Sequence, residues 1–260
     1  LQYYHFQFHM SQKQVIEFNL KNRKPEKVFI IIGVVFSIFW IGMNLSLVFG
    51  TYEIGNDNIA DFISNRYQNC RQMLGMIVPI IYSVSFYYIF VQGKQYIIIK
   101  YGRIRYEKIE AKRIFFFSFI FAMIYMGVDI LFTSLCVNIG VLLYNKYYLF
   151  MIIKCTMLVF YLNLIGMTLF FLRNILGFSG IYVLLGAWIY VFLTGVSFMN
   201  FEQISPSFYM NFADAWFQNN RFDWITYIIN LGKLVVGGYI LMYLGELVFL
   251  KRDIIGNEEI

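Results

Sequence analysis

The chain has 260 residues, of which 60% are hydrophobic, 21% aromatic and only 14% charged. Soluble domains carry roughly a quarter charged residues, so water is excluded as the solvent for most of this sequence. The net charge of +6 would raise nucleic acid as a partner in a soluble protein, but here the cations are pooled between apolar runs and no nucleic-acid role is expected.

Residues 1 to 27 mix Lys13, Lys21, Arg23, Lys24 and Lys27 with Tyr3, Tyr4, Phe6, Phe8, Phe18 and Leu20. Cations interleaved with aromatics suit a cytoplasmic segment lying in the lipid headgroups, ended by Pro25. More than 20 residues precede the first apolar run and no small-residue cleavage site accompanies it, so a cleaved signal peptide is not expected.

Crossing about 30 Å of hydrocarbon takes about 20 apolar residues as a helix. Runs of that length predict an all-α membrane domain over 28–250, with six spans near 28–50, 74–92, 114–143, 147–171, 179–200 and 224–250. The third is long enough to tilt or break. Barrel strands would alternate polar and apolar residues over about 10 positions, and these solid runs do not.

Short loops rich in Lys and Arg stay cytoplasmic. The loop from 93 to 113 holds Lys94, Lys100, Arg103, Arg105, Lys108, Lys112 and Arg113, whereas that from 51 to 73 sets Arg66 and Arg71 beside Glu53, Asp57 and Asp61. The first loop is therefore expected outside and the second inside. Arg173, the basic N-terminal tail and the tail at 251–260 with Lys251 and Arg252 agree, which puts both termini in the cytoplasm. The segment 201–223 falls outside, yet carries Phe208, Tyr209, Phe212, Trp216, Phe217 and Phe222. It predicts short helices dipping into the outer leaflet, started by Ser205 and Pro206, against the simpler reading of a loop packed on the bundle.

Chemistry-bearing patterns are few. Gly93-Lys94 and Gly232-Lys233 lack the upstream Gly and the following Ser or Thr of a P-loop, so no nucleotide site is expected. His5 and His9 stand at helical spacing without a supporting ligand cluster, and Cys70, Cys136 and Cys155 form no CxxC pair. No catalytic residue, bound cofactor or metal site is predicted. Ionisable groups inside spans are costly and commonly functional, which singles out Asp129, Lys154 and Lys233 as candidates for a translocation path, with Glu246 near the inner interface. The two lysines either line an outward-facing vestibule or snorkel toward the outer headgroups, and snorkelling is the favoured reading. Asp129 could pair with Lys154 across the turn near 144–147, provided that a break or tilt in the third helix removes a depth difference of about 10 Å.

The stretch KQYIIIKYGRIRYEKIEAKR, Lys94 to Arg113, carries a membrane helix into a charged segment, turns near Gly102 and resumes as a helix feeding the third span. With the amphipathic start, six spans, the core Tyr101-Gly102-Arg103-x-Arg105-Tyr106 and the aromatic stretch before the last span, the chain resembles the permease subunits of type-2 ABC transporters. These serve bacterial peptide export, bacteriocin self-protection and lipid export. The resemblance implies a cytoplasmic coupling helix in which Lys100, Tyr101, Gly102, Arg103, Arg105, Tyr106 and Lys108 dock on a separate ATP-hydrolysing subunit, where ATP and Mg would reside. It also implies a second copy or a sister permease as partner and re-entrant external helices at 202–223. Rich Ile, Lys, Asn, Tyr and Phe usage points to an AT-rich bacterial genome, and with it to the plasma membrane as the expected location. A carrier driven by an ion gradient, with Asp129 and Lys154 as coupling groups, is the alternative. An integral membrane enzyme or assembly factor lacks a catalytic cluster.

Overall fold

The computed structural model describes residues 25–50, 53–65, 72–90, 103–177, 180–197, 205–217 and 222–251. Among them there is no strand. In chain order the helices are α1 (Pro25–Met43), α2 (Leu45–Val48), α3 (Ile59–Asn65), α4 (Val78–Phe90, entered through a π-helical turn at Met73–Ile77), α5 (Arg103–Cys136), α6 (Ile139–Tyr144), α7 (Tyr147–Leu176), α8 (Ile181–Ser197), a 3₁₀ turn (Pro206–Met210), α9 (Ala213–Phe217) and α10 (Trp224–Lys251).

Five of these, α1, α4 with its π turn, α5, α7 and α10, are long and apolar enough to cross a membrane. The fifth expected span in chain order, α8, has 17 residues and reaches about 25 Å at ~1.5 Å per residue, short of a typical hydrocarbon layer. The expected amphipathic segment before Pro25, the Lys100-Tyr101-Gly102 turn and the tail beyond Lys251 lie outside the described residues.

α7 occupies the centre, packed against α4, α5, α8 and α10, while α1 leans on α5 and α4. The arrangement follows from side-chain size at the crossings. At the meeting of α4, α5 and α7, Gly166 has no side chain because a Cβ there would run into Ile114 and the Tyr82 hydroxyl. Around that gap Tyr82, Phe86, Phe117 and Phe121 form a buried aromatic column, with ring centroids 5.0 Å apart for Tyr82 and Phe117 and 5.2 Å for Tyr82 and Phe121. The least enclosed helices are α1 and α10, whose exposed Ile30, Ile38, Ile225 and Ile228 are what a lipid-facing surface requires.

Element boundaries correct the sequence reading in two places. The first run, expected over 28–50, starts at Pro25, whose fixed φ suits a first helical position, and breaks at Asn44. There the Asn44 side-chain amide donates to the Trp40 carbonyl at 2.8 Å, beside its own backbone N–H at 3.1 Å. The third run, expected over 114–143, is one helix from Arg103 to Cys136. It stops at Asn138, which has left the helical conformation and whose side chain accepts from the Gly140 N–H at 2.8 Å, starting α6 as a new N-cap.

Between Tyr144 and Tyr147 the chain reverses through Lys146, the single described non-glycine residue with positive φ, at 54°. At the other end of α7, Gly177 takes φ 82° and its N–H returns to the Arg173 carbonyl at 2.9 Å, closing the helix as glycine commonly does. Above the bundle, Ser205 precedes the Pro206 turn, and Phe212, Trp216 and Phe217 cover the Phe150 ring. The stretch thus holds two short helices, Pro206–Met210 and Ala213–Phe217, packed on the bundle.

Candidate functional site: a polar seam between α5 and α7

An apolar helix that carries a charge must give that charge a partner, because hydrocarbon offers none. α5 and α7 do so at two levels.

At one level stands Asp129, 5% exposed. Its Oδ1 accepts from the Trp40 indole N–H of α1 at 2.7 Å and its Oδ2 from the Tyr147 hydroxyl of α7 at 2.8 Å. Both lengths suit charge-assisted bonds. Lys154 lies about two turns beyond Tyr147 on α7, with only 1% exposure, attracted electrostatically by Asp129 and with its ammonium 5.5 Å from the Phe150 ring centre. The Ser134 and Tyr148 hydroxyls bond 3.0 Å apart, extending the seam outward.

The break at Asn138 makes this pairing possible. With α5 ending at Cys136 and α7 starting at Tyr147, Asp129 and Lys154 each stand about 10 Å inside their helix ends at ~1.5 Å per residue. The expected depth difference therefore disappears. Lys154 does not snorkel, contrary to expectation: its ammonium is enclosed by the bundle and shares a level with a carboxylate, so it has no need to reach for water.

Lys233 is separate. It is exposed on α10, donates to the Asn230 side-chain oxygen at 3.3 Å and stands 5.1 Å from the Tyr209 ring centre. The outer candidates thus reduce to Asp129 and Lys154, with Trp40 and Tyr147 as partners that sequence reasoning missed. Those two gave no signal, since tyrosines are common throughout this chain and Trp40 stands inside an apolar run.

At the other level Glu107, Glu110 and Tyr106 of α5 face into the bundle, each at most 2% exposed. Glu110 bonds the Arg113 guanidinium at 2.7 Å and lies 3.8 Å from that of Arg173 on α7. Asn174 donates to Glu107 at 3.2 Å and to the Gly245 carbonyl of α10 at 3.2 Å, so three helices meet there. Arg173, expected only as a topological marker, is 2% exposed and lies over the Phe170 ring at 4.7 Å. The signal for this cluster was legible: Glu107 and Glu110, three residues apart, share one helix face within a stretch otherwise basic.

The opposite face of the same turns is different. Arg105, Lys108 and Lys112 are exposed, and the row continues at heptad spacing into exposed Phe115 and Phe119. One stripe thus changes from cationic to apolar within a turn, as it must where a helix passes from water into lipid. Of the expected docking residues, Arg105 and Lys108 look outward, while Tyr106 is 1% exposed with its ring 5.7 Å from that of Phe249 on α10. Arg103 begins the helix; Lys100, Tyr101 and Gly102 lie outside the described residues.

Nineteen residues separate Glu110 from Asp129 on α5, and nineteen separate Lys154 from Arg173 on α7. Each interval rises about 28 Å at ~1.5 Å per residue, so the two polar levels are a membrane thickness apart.

Long apolar helices joined by buried polar contacts define a helical membrane protein. Compared with known protein families, curated proteins and solved structures, the chain matches none. Among the described residues no group of three or more His, Cys, Asp or Glu could hold a metal.

Proposed function

We propose that the chain is the membrane-spanning permease subunit of an ATP-driven type-2 ABC transporter, exporting an amphipathic peptide or lipid-like cargo by alternating access. The observation that carries this reading is the division of labour on the inner end of α5. Its acids and Tyr106 are spent on α7 and α10, which leaves Arg105, Lys108 and Lys112 exposed for the acidic groove of another protein.

α8 completes a sixth, thinner span in this reading. Six crossings bring the 93–113 loop, Arg173 and Lys251 to one side, as the bias of Lys and Arg requires, and put both termini in the cytoplasm of a bacterial cell. Partner ATPases would hold ATP and Mg, and a second copy or a sister permease would complete the path. ATP-driven closure of the ATPases would push on α5, whose buried inner cluster passes the movement to α7 and α10. The short helices at 206–217 would close the outer side.

A gradient-driven carrier is the second reading, favoured by one observation: Asp129 and Lys154 are buried at a single level of the apolar bundle, as coupling groups are.

A mild-detergent pull-down with an ATPase assay separates the two. Recovery of a P-loop ATPase, lost in the charge-reversed variant Arg103→Glu/Arg105→Glu while the chain still folds, supports the permease. Recovery of the chain alone, with transport that follows a proton or sodium gradient, supports the carrier.

A further inference from the structure

A cavity of about 570 Å³ opens at the outer end of the bundle, its lining including Asn145, Lys146, Leu149, Trp216, Phe222 and Trp224. The first turns of both α7 and α10 border it, which sets it at the depth where aromatic side chains collect at a membrane surface. The Phe222 ring fixes its wall, 5.2 Å from that of Trp216 and 4.6 Å from that of Trp224, both at steep angles.

Among the described residues the lining has one charge, and it is positive. Lys146 is exposed and held at its corner by the left-handed backbone that turns the chain into α7. The carboxylate beside the rim, Asp223, is occupied by its own helix start, where its oxygens accept the Ile225 and Thr226 N–H groups and the Thr226 hydroxyl. Asn145 is tied to the Val141 carbonyl and to Asn56. From the lining, Leu149 continues into exposed Ile152 on α7 and Trp224 into exposed Ile228 on α10, at i, i+3 and i, i+4 spacings that put each pair on one face.

We propose that this cavity seats the phosphodiester headgroup of an anionic phospholipid, with the phosphate against Lys146, the glycerol between the tryptophan rings, and the acyl chains along the two apolar pairs. A cation with no carboxylate among the described lining residues selects net negative charge over a zwitterion, and the apolar track selects a lipid over a free anion. The site is independent of what powers transport.

The test uses the purified full chain in detergent, offered equal amounts of phosphatidylglycerol and phosphatidylcholine, with retained lipid read by native mass spectrometry. One basic group near a lipid surface is worth about fivefold in binding. A preference for phosphatidylglycerol of about that size is expected in the native chain and in Lys146→Arg, and none in Lys146→Asn. Asparagine tolerates left-handed backbone, so the neutral variant keeps the turn. An unchanged preference in Lys146→Asn, equal retention of the two lipids by the native chain, or full displacement of phosphatidylglycerol by millimolar inorganic phosphate would overturn the proposal. The last two are read on the native chain and need no variant to fold.

Discussion

At the scale of single residues, polar groups here act by what they hold together. Asp129 accepts hydrogen bonds from Trp40 and Tyr147 and attracts the buried Lys154 ammonium, so removing its charge leaves that ammonium less well compensated. Breaking a buried pair from one side costs about 3 to 5 kcal/mol. Asp129→Asn is therefore expected to destabilise the chain by about 3 kcal/mol, and adding Lys154→Met to recover at least half, measured by denaturant unfolding in bicelles. Gly166→Ala would drive a methyl into Ile114 and Tyr82. Overpacking of this kind costs about 1 to 3 kcal/mol, and the same unfolding assay reads it. Outside the spans, hydrogen bonds from the Thr226 hydroxyl and N–H hold the Asp223 carboxyl below the usual carboxylate range. A lowered carboxylate stabilises the fold above its ordinary titration range, and that contribution disappears as pH falls through the folded value. Asp223→Ala should thus lower the thermal midpoint at neutral pH, with the gap to the native chain closing in strong acid. The importance of Asp129 and Lys154 was readable, because charges stand out in apolar runs. Trp40 and Tyr147 were not, because a pairing partner is chosen by three-dimensional register and leaves no trace in local pattern.

At the scale of elements, hydropathy located the long helices but not where they stop. Both misjudged ends lie at asparagines, Asn44 and Asn138, inside runs whose apolar character continues past them. A hydropathy window averages over such a residue, whereas the backbone responds to one side chain that bonds locally. The consequence reaches the site, since only the stop before Asn138 brings Asp129 level with Lys154. The acidic face of α5 was overlooked for a related reason: counting Lys and Arg to orient loops treats a helix as a line, while Glu107 and Glu110 matter through the side they occupy. Capping by Asn138 is worth about 1 kcal/mol, and Asn138→Ala should lose about that much in the bicelle assay.

At the scale of the whole molecule, the bundle is built outward from α7, and its buried charges gather on the seam with α5. At one end that seam reaches α1 through Trp40, and at the other α10 through Gly245. The exposed cations of α5 stand on the reverse side of the inner cluster, so a force applied to Arg105 or Lys108 has a packed path to α7 and α10. Composition made the membrane character legible, and loop charges suggested the orientation. The internal order of the bundle was not legible, because every helix of a solid apolar run offers several equivalent faces.

The matched intervals of nineteen residues act as a gauge. Two antiparallel rods pinned at both ends have a single allowed offset, and each pin checks the other. Inserting seven alanines, about two turns, in α5 between Phe116 and Met123 would keep the facing of everything beyond it to within about 20° and advance it by about 10 Å, carrying Asp129 past Tyr147 while Glu110 stays seated on Arg173. The same insertion made in α7 between Leu158 and Gly166 as well restores equal counts with the two faces still turned to each other. Crosslinking of Ser134→Cys with Tyr148→Cys should fail in the single insertion and return in the double. If it does, the spacing itself, and not any one of the four charged residues, sets the alignment of the two helices.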